Sequence, residues 1–327
     1  MKQDITHLPQ STQDELNYLV DSIKMHIPKC AMVILYGSYA RGGYVLWDER
    51  VEFGIFTSYQ SDLDILVVTY ESNSRITEYQ LEEKVVENYH KAFAHCRHAS
   101  PQFIVEDINT LNRALDTGRY FYTDAVREGI MLYNNGEFQL VTPHKLSFKD
   151  IKAVAEEEFN KCFPFANCFI KCARMALDDE MYGFGAFQLH QACERYYYSI
   201  GLVFVNYRPK THRLKDLESK CKRFSRNLVC VFPRRTKFEK HCYDLLCRSY
   251  IESRYNNDYT VTREELEYML QRTELLRDIT YDICSEQILA YDTMIEQQDK
   301  GDIKPYRTPD QENSSDIAAD ERKGYSS

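Results

Sequence analysis

From Ser147 to about Gln297 apolar residues recur at helical spacing with few strand signals, while the preceding part alternates short, wholly apolar runs with helical patterns. That change of period divides the chain into two architectures. The spacing predicts helices over Lys149–Leu177, Phe184–Phe204, Leu214–Phe224 and Lys237–Tyr255, and a last one from Arg263 to about Gln297. Pro209 and Pro233 punctuate the connections and Asn256-Asn257 marks a turn, so a bundle of about five helices is expected.

The first part reads as α/β with a small mixed sheet. Ser11 is placed to cap a helix that carries Leu16, Leu19, Val20 and Ile23 on one face. Strands are expected at Met32–Tyr36, Leu63–Thr69 and Pro101–Val105, with a long amphipathic helix from Ile76 to Cys96 and a short one in the INTLNRAL segment that follows the third strand. The boundary falls within Asn135–Ser147. Domains are therefore expected at 1–140 and 147–298, followed by a polar, Ser- and Asp-rich tail at 299–327 that reads as disordered.

Composition removes several function classes. No apolar run approaches the roughly 18 to 20 residues of a spanning helix, and the N-terminus lacks the basic start and apolar stretch of a signal peptide, so a soluble, cytoplasmic protein without a membrane partner is expected. The 11 cysteines are odd in number, scattered and free of Cys-x-x-Cys pairs, which fits reduced thiols better than a disulfide framework. His90, His95 and His98 partly share a helix face but lack an acid or thiol at metal-ligand spacing. A net charge of -9 argues against a general polyanion binder, yet Asn206–Lys240 carries twelve basic residues against only Asp216, Glu218 and Glu239. Such local asymmetry suits either a phosphate-bearing partner or a solvated helix face.

The densest chemistry lies between Gly37 and Asp64. Gly37 lets the backbone approach a ligand, Ser38 offers a hydroxyl and an amide to a phosphate, and Arg41 adds a charged contact. Asp62 and Asp64, two residues apart on a strand, point to one face with backbones roughly 6 to 7 Å apart, where two like charges need a cation between them. Magnesium suits that geometry, since it takes one or two carboxylates together with water and phosphate oxygens.

Gly37-Ser38-Tyr39-Ala40-Arg41 followed by Ser61-Asp62-Leu63-Asp64-Ile65-Leu66-Val67 resembles the signature of the minimal nucleotidyltransferases of the DNA polymerase β superfamily. The resemblance implies that Gly37 and Ser38 bind a nucleoside triphosphate and that Asp62 and Asp64 hold magnesium for attack of an acceptor hydroxyl on the α-phosphate. Two departures accompany it. The loop Gly42–Gln60 is longer than usual and aromatic, with Tyr44, Trp47, Phe53, Phe56 and Tyr59, and reads either as a lid or acceptor-recognition loop or as a surface hairpin. The family's third carboxylate, on a later strand, aligns with Gln102 or Phe103, so Glu106, the nearest acid, is assigned that catalytic role.

Phe184–Leu217, with its Pro-Lys-Thr-His-x-Leu element, and Arg248–Asn257, with Tyr-Ile-Glu-Ser-Arg-Tyr, look like the HEPN family, a helical domain often paired with nucleotidyltransferases. Thr117–Tyr133 also resembles the end of the fused nucleotidyltransferase domain. In the HEPN branch without nuclease activity the domain is thought to bind a nucleotide or substrate, which points to Lys210 and His212, although Thr211 as a helix cap with His212 packed in the bundle is the alternative. HEPN ribonucleases carry Arg-x(4-6)-His on a helix, for which Arg235 and His241 are the candidates. Gln188 and Glu194 read as polar groups of a cleft or of a solvated face, and Glu252 with Arg254 as an internal ion pair.

The expectation is an enzyme that uses magnesium to transfer a nucleoside monophosphate, AMP from ATP or another nucleotide from its triphosphate, to an acceptor that is a small molecule, an RNA or a protein. The helical domain would bind acceptor or nucleotide, or pair two copies of the chain as a homodimer. A nucleotide- or RNA-binding regulator with a decayed transferase site is the competing class, and a ribonuclease a third.

Overall fold

The computed structural model describes residues 4–52, 55–71, 77, 80–95, 98–144, 146–256 and 258–299. The tail expected beyond 299, Phe53, Ile76, Cys96 and Asn257 lie outside the described residues. Among the described residues two compact units are present, one within 4–49 and 58–144, the other within 147–299 together with 50–57.

The first unit is built on a four-stranded mixed sheet in the order β5-β4-β1-β6. Strand β1 (Cys30–Tyr36) lies antiparallel to β4 (Leu63–Thr69) and to β6 (Ile130–Asn134), while β5 (Pro101–Asp107) runs parallel to β4. Every residue of β1 and β4 is buried, as expected of strands covered on both faces. Leu63, Ile65 and Val67 with Val33 and Leu35 face one core, packed with Leu16, Leu19 and Ile23 of α1 (Gln10–His26). That helix starts after Pro9 rather than at Ser11, and no side chain caps it. Between β1 and β4 come the short helix α2 (Gly37–Arg41) and the paired strands β2 (Asp48–Glu52) and β3 (Ile55–Tyr59).

Connecting β4 to β5 is a helical segment, α3, whose Leu81–Val86 portion has π geometry before an α turn at Glu87–Ala92. After β5, Asp107 caps α4 (Ile108–Asp116) by accepting from the amides of Asn109 and Thr110. Helix α5 (Tyr120–Glu128) covers the other sheet face, with Phe121 edge-on to Tyr36 at 5.4 Å.

The second unit is helical: α6 (Phe148–Asp178), α7 (Tyr182–Val205), α8 (Leu214–Cys221), α9 (Lys237–Tyr255) and α10 (Arg263–Asp299), with a short 3-10 turn at Arg226–Cys230. Its centre is α7, where Ala192, Cys193, Tyr196, Tyr197, Ile200 and Val203 are all buried. Among the described residues no helix is long and apolar enough to cross a membrane.

Candidate functional site

Strand β1 ends with Tyr36 in register opposite Asp64, and Gly37 then turns the chain sharply at φ +76°. That backbone favours glycine, and the space demands it as well. A Cβ on Gly37 would run into the Asp64 carboxylate, coming within 3.1 Å of its Cγ as well as striking Oδ2. The turn and the carboxylate are therefore one packed unit. Ser38 and Asp64 are each 7% exposed, whereas Asp62 is half-buried one residue ahead of β4.

Leu63 between the aspartates enters the core, and its amide donates to the Ser100 carbonyl at 2.9 Å, which extends strand pairing up to the pair. Alternation then gives Asp62 and Asp64 the same face. Burial raises the pKa of the Tyr39 hydroxyl, with Glu15, Tyr44 and the negative charge of Asp62 adding to the effect. Arg41, at the end of α2, lies 3.7 Å from Glu128 of α5. Gly37 and Ser38 thus follow the end of β1, Asp62 and Asp64 lie at the start of β4, and Arg41 closes α2.

Glu106 does not join them. Register pairs Asp64 with Gln102 and Val68 with Glu106, so Glu106 shares the face but stands four residues, or about 13 Å, further along the sheet. There it is 2% exposed and accepts a 2.6 Å hydrogen bond from Tyr122 Oη of α5. The group next to Asp64 on β5 is the amide of Gln102. This corrects the assignment of Glu106 as third carboxylate; its physical reason is the parallel register, which the β5 sequence alone leaves open.

Among the described residues no group of three His, Cys, Asp or Glu is arranged to hold a metal ion. The two aspartates beside a glycine turn still fit magnesium delivered with nucleotide phosphates, because that ion fills most of its octahedron with phosphate and water oxygens. His90 and His98 meet through a 2.8 Å contact between Nδ1 and Nε2, which engages one nitrogen of each imidazole with the other.

The loop after α2 leaves and returns at one point. Val45 N donates to Ser61 Oγ, and Ser61 N donates to the Val45 carbonyl, both at 2.9 Å. Tyr44 stacks flat on buried Tyr39 at 4.4 Å, so one expected loop aromatic packs under the site rather than over it.

In the helical unit, the sequence-predicted His212 lies in the loop before α8. Its Nδ1 is 2.9 Å from Glu194 Oε2, and its ring stacks on Tyr250 at 4.9 Å with 13° between planes. Glu194 is 3% exposed, so of the two roles expected for it the solvated face is ruled out. His190, one turn earlier on α7, is fully buried and stacks on Tyr250 at 5.2 Å. Neither of its ring nitrogens has a hydrogen bond of normal geometry. Burial pushes its pKa down to about 3, helped by the charges of His212 and Arg254 and opposed by the His212 backbone.

Sequence reasoning missed His190 and Tyr250. The i, i+4 spacing of His190 and Glu194 on α7 was the available signal. Thr211 does not cap α8; Arg213 occupies that position, and Thr211 Oγ1 accepts from the Arg213 amide. Lys210 is exposed in the same loop. Arg254 bonds the Tyr250 carbonyl rather than Glu252, which pairs with Arg248 at 3.0 Å.

The Arg235–His241 spacing has a structural origin. Thr236 caps α9 in a reciprocal box with Glu239, which leaves Arg235 ahead of the helix and not on it. His241 is 3.0 Å from Glu265 of α10. Much of the basic stretch is likewise engaged: Lys215 pairs with Asp244 at 3.2 Å, Arg213 with Asp216 at 3.5 Å, and Arg234 with Glu218.

Residues 161–283 match the HEPN domain family, so the helical unit contains a HEPN domain. No curated protein matches the chain.

Proposed function

We propose that the sheet unit binds a nucleoside triphosphate with magnesium, ATP being the expected nucleotide, and transfers its nucleoside monophosphate to an acceptor hydroxyl. The observation that carries this reading is the packing of Gly37 against Asp64, which sets the glycine turn directly beside the paired carboxylates. Ser38 supplies a hydroxyl and amide to the triphosphate, and Arg41, steadied by Glu128, adds positive charge at the edge of the turn. Asp62 and Asp64 hold the ion. Magnesium, when bound there with the nucleotide, neutralises charge on the phosphate oxygens.

In the transfer the acceptor oxygen forms a bond to the α-phosphorus and the bond to the bridging oxygen of the β-phosphate breaks, so that pyrophosphate leaves. The acceptor proton passes to solvent, to which the site is open beside half-buried Asp62. In the helical unit, Lys210 and His212 bind the phosphate of a nucleotide or of the acceptor, consistent with a basic loop before α8.

A second reading has its own support. Gln102 opposite Asp64, with Glu106 committed to Tyr122, leaves the carboxylate set one short, which fits a nucleotide-binding regulator that performs no transfer. Incubation of the full chain with magnesium and ATP labelled at the α-phosphate, with small-molecule, RNA and protein acceptors, separates the two. Labelled acceptor and released pyrophosphate, both lost in Asp62→Asn, support transfer; tight nucleotide binding without either supports the regulator.

A further inference from the structure

The surroundings of His212 carry more than a phosphate contact. Glu194 is buried on α7 and holds His212 Nδ1, so a neutral His212 donates its single proton inward and presents only a lone pair at Nε2. A phosphate oxygen approaching that nitrogen would meet an acceptor, with the Glu194 carboxylate unneutralised behind it. Protonation reverses both conditions. Nε2 becomes a donor, and the imidazolium cancels the charge of Glu194.

The neighbours favour this. Tyr250 presents its ring face to His212 at 13° between planes, an arrangement that attracts a cation. Arg254 sits over the same tyrosine at 4.7 Å and supplies a positive partner for an anion that has no mobile proton. His190, on the same ring, is a poor rival for the proton, since burial favours its neutral form. Among the described residues, other charged or titratable groups nearby are Lys210 and Arg213 on the loop, Asp216, which Arg213 and Thr211 engage, Arg208, which lies over Tyr198, and Tyr198 itself, which faces Glu194 and donates to the Thr211 carbonyl.

We propose that the helical unit binds the phosphate group of a nucleotide in a proton-coupled manner, with Glu194 and His212 taking up one proton as the phosphate docks on His212 Nε2. The inference rests on the reading of Lys210 and His212 as phosphate contacts. It adds a regulatory property, an affinity that rises as pH falls.

The test uses the full chain carrying Asp62→Asn and Asp64→Asn, so that the sheet unit does not contribute, with AMP as probe and adenosine as control. Calorimetric titration at pH 7.5 in buffers of different ionisation enthalpy should show uptake of up to one proton per AMP. Toward alkaline pH the dissociation constant should rise by up to about tenfold per pH unit, as one-proton linkage requires. Adenosine should bind weakly and without proton uptake. Adding Glu194→Gln should retain binding at high pH and flatten the pH profile, while adding His212→Ala should remove AMP binding with the thermal transition preserved. AMP binding that is lost in His212→Ala but is independent of pH and buffer overturns proton coupling and leaves the phosphate contact standing. No AMP binding at any pH, or equal binding of adenosine, overturns the phosphate contact itself and the coupling with it.

Discussion

In the sheet unit Gly37, Ser38, Asp62 and Asp64 belong to one continuous stretch, held where β1 ends and β4 begins. In the helical unit Glu194 and His190 come from α7, Tyr250 and Arg254 from α9, and His212 from a loop. The first arrangement concentrates negative charge at the end of a sheet, where an added cation can bridge it. The second sets a buried carboxylate against an imidazole already in the protein, joined to it through Nδ1. Sheet ends leave charges accessible to a ligand, whereas helix interiors require partners supplied from within.

The comparison breaks first at Gly37. Gly37→Ala adds a methyl against the Asp64 carboxylate at a positive φ, which costs about 1–3 kcal/mol of stability. By shifting the aspartate it should also lower transfer at least about a hundredfold. Activity assay and thermal denaturation together check both. Next, His190→Leu removes a buried imidazole without a normal hydrogen bond and should raise stability by about 1 kcal/mol while weakening AMP binding. Chemical denaturation beside calorimetry would show the opposed effects.

A smaller effect lies away from both sites. Tyr89 Oη is 2.8 Å from both Glu15 Oε2 and the Ala99 carbonyl, yet has one proton to give. The arrangement is satisfied when Glu15 is protonated and donates to Tyr89, and burial accordingly raises the Glu15 pKa. The sign follows: a raised folded pKa stabilises below the unfolded value, and that contribution is lost as pH rises through the folded one. Glu15→Gln should therefore gain about 1 kcal/mol near pH 8 and little near pH 4, read from denaturant midpoints at the two pH values. Smallest of all, His241→Ala should leave RNA integrity and nucleotide binding unchanged, because Arg235 precedes the Thr236–Glu239 capping box and does not share the helix with His241.

How much was readable follows the same division. Leu63–Thr69 is a strand in the sequence pattern and in the fold, and Gly37 to Asp64 was legible because its geometry is local. The partner of Asp64 was not, since which β5 residue stands opposite depends on how α3 returns the chain, and a shift of four residues separates Gln102 from Glu106. Helix α5 and strand β6 escaped assignment as elements because Gly129 alone separates them. The helix spans of the second unit were close to those observed, Lys237–Tyr255 without change, because its periodicity is long. Its site was not, because periodicity names a face without saying which distant side chain meets it; Tyr250 joins His190 and His212 only through helix packing.

The central claim is that the Gly37 turn and the aspartate pair form a magnesium-dependent nucleotide site. Titration of the full chain with a non-hydrolysable ATP analogue, with and without magnesium, in the parent and in Asp64→Asn, tests it most directly. The account predicts a magnesium-dependent binding event in the parent that disappears in Asp64→Asn, with the thermal transition preserved. Identical isotherms for the two proteins, or binding in the parent that ignores magnesium, would contradict it.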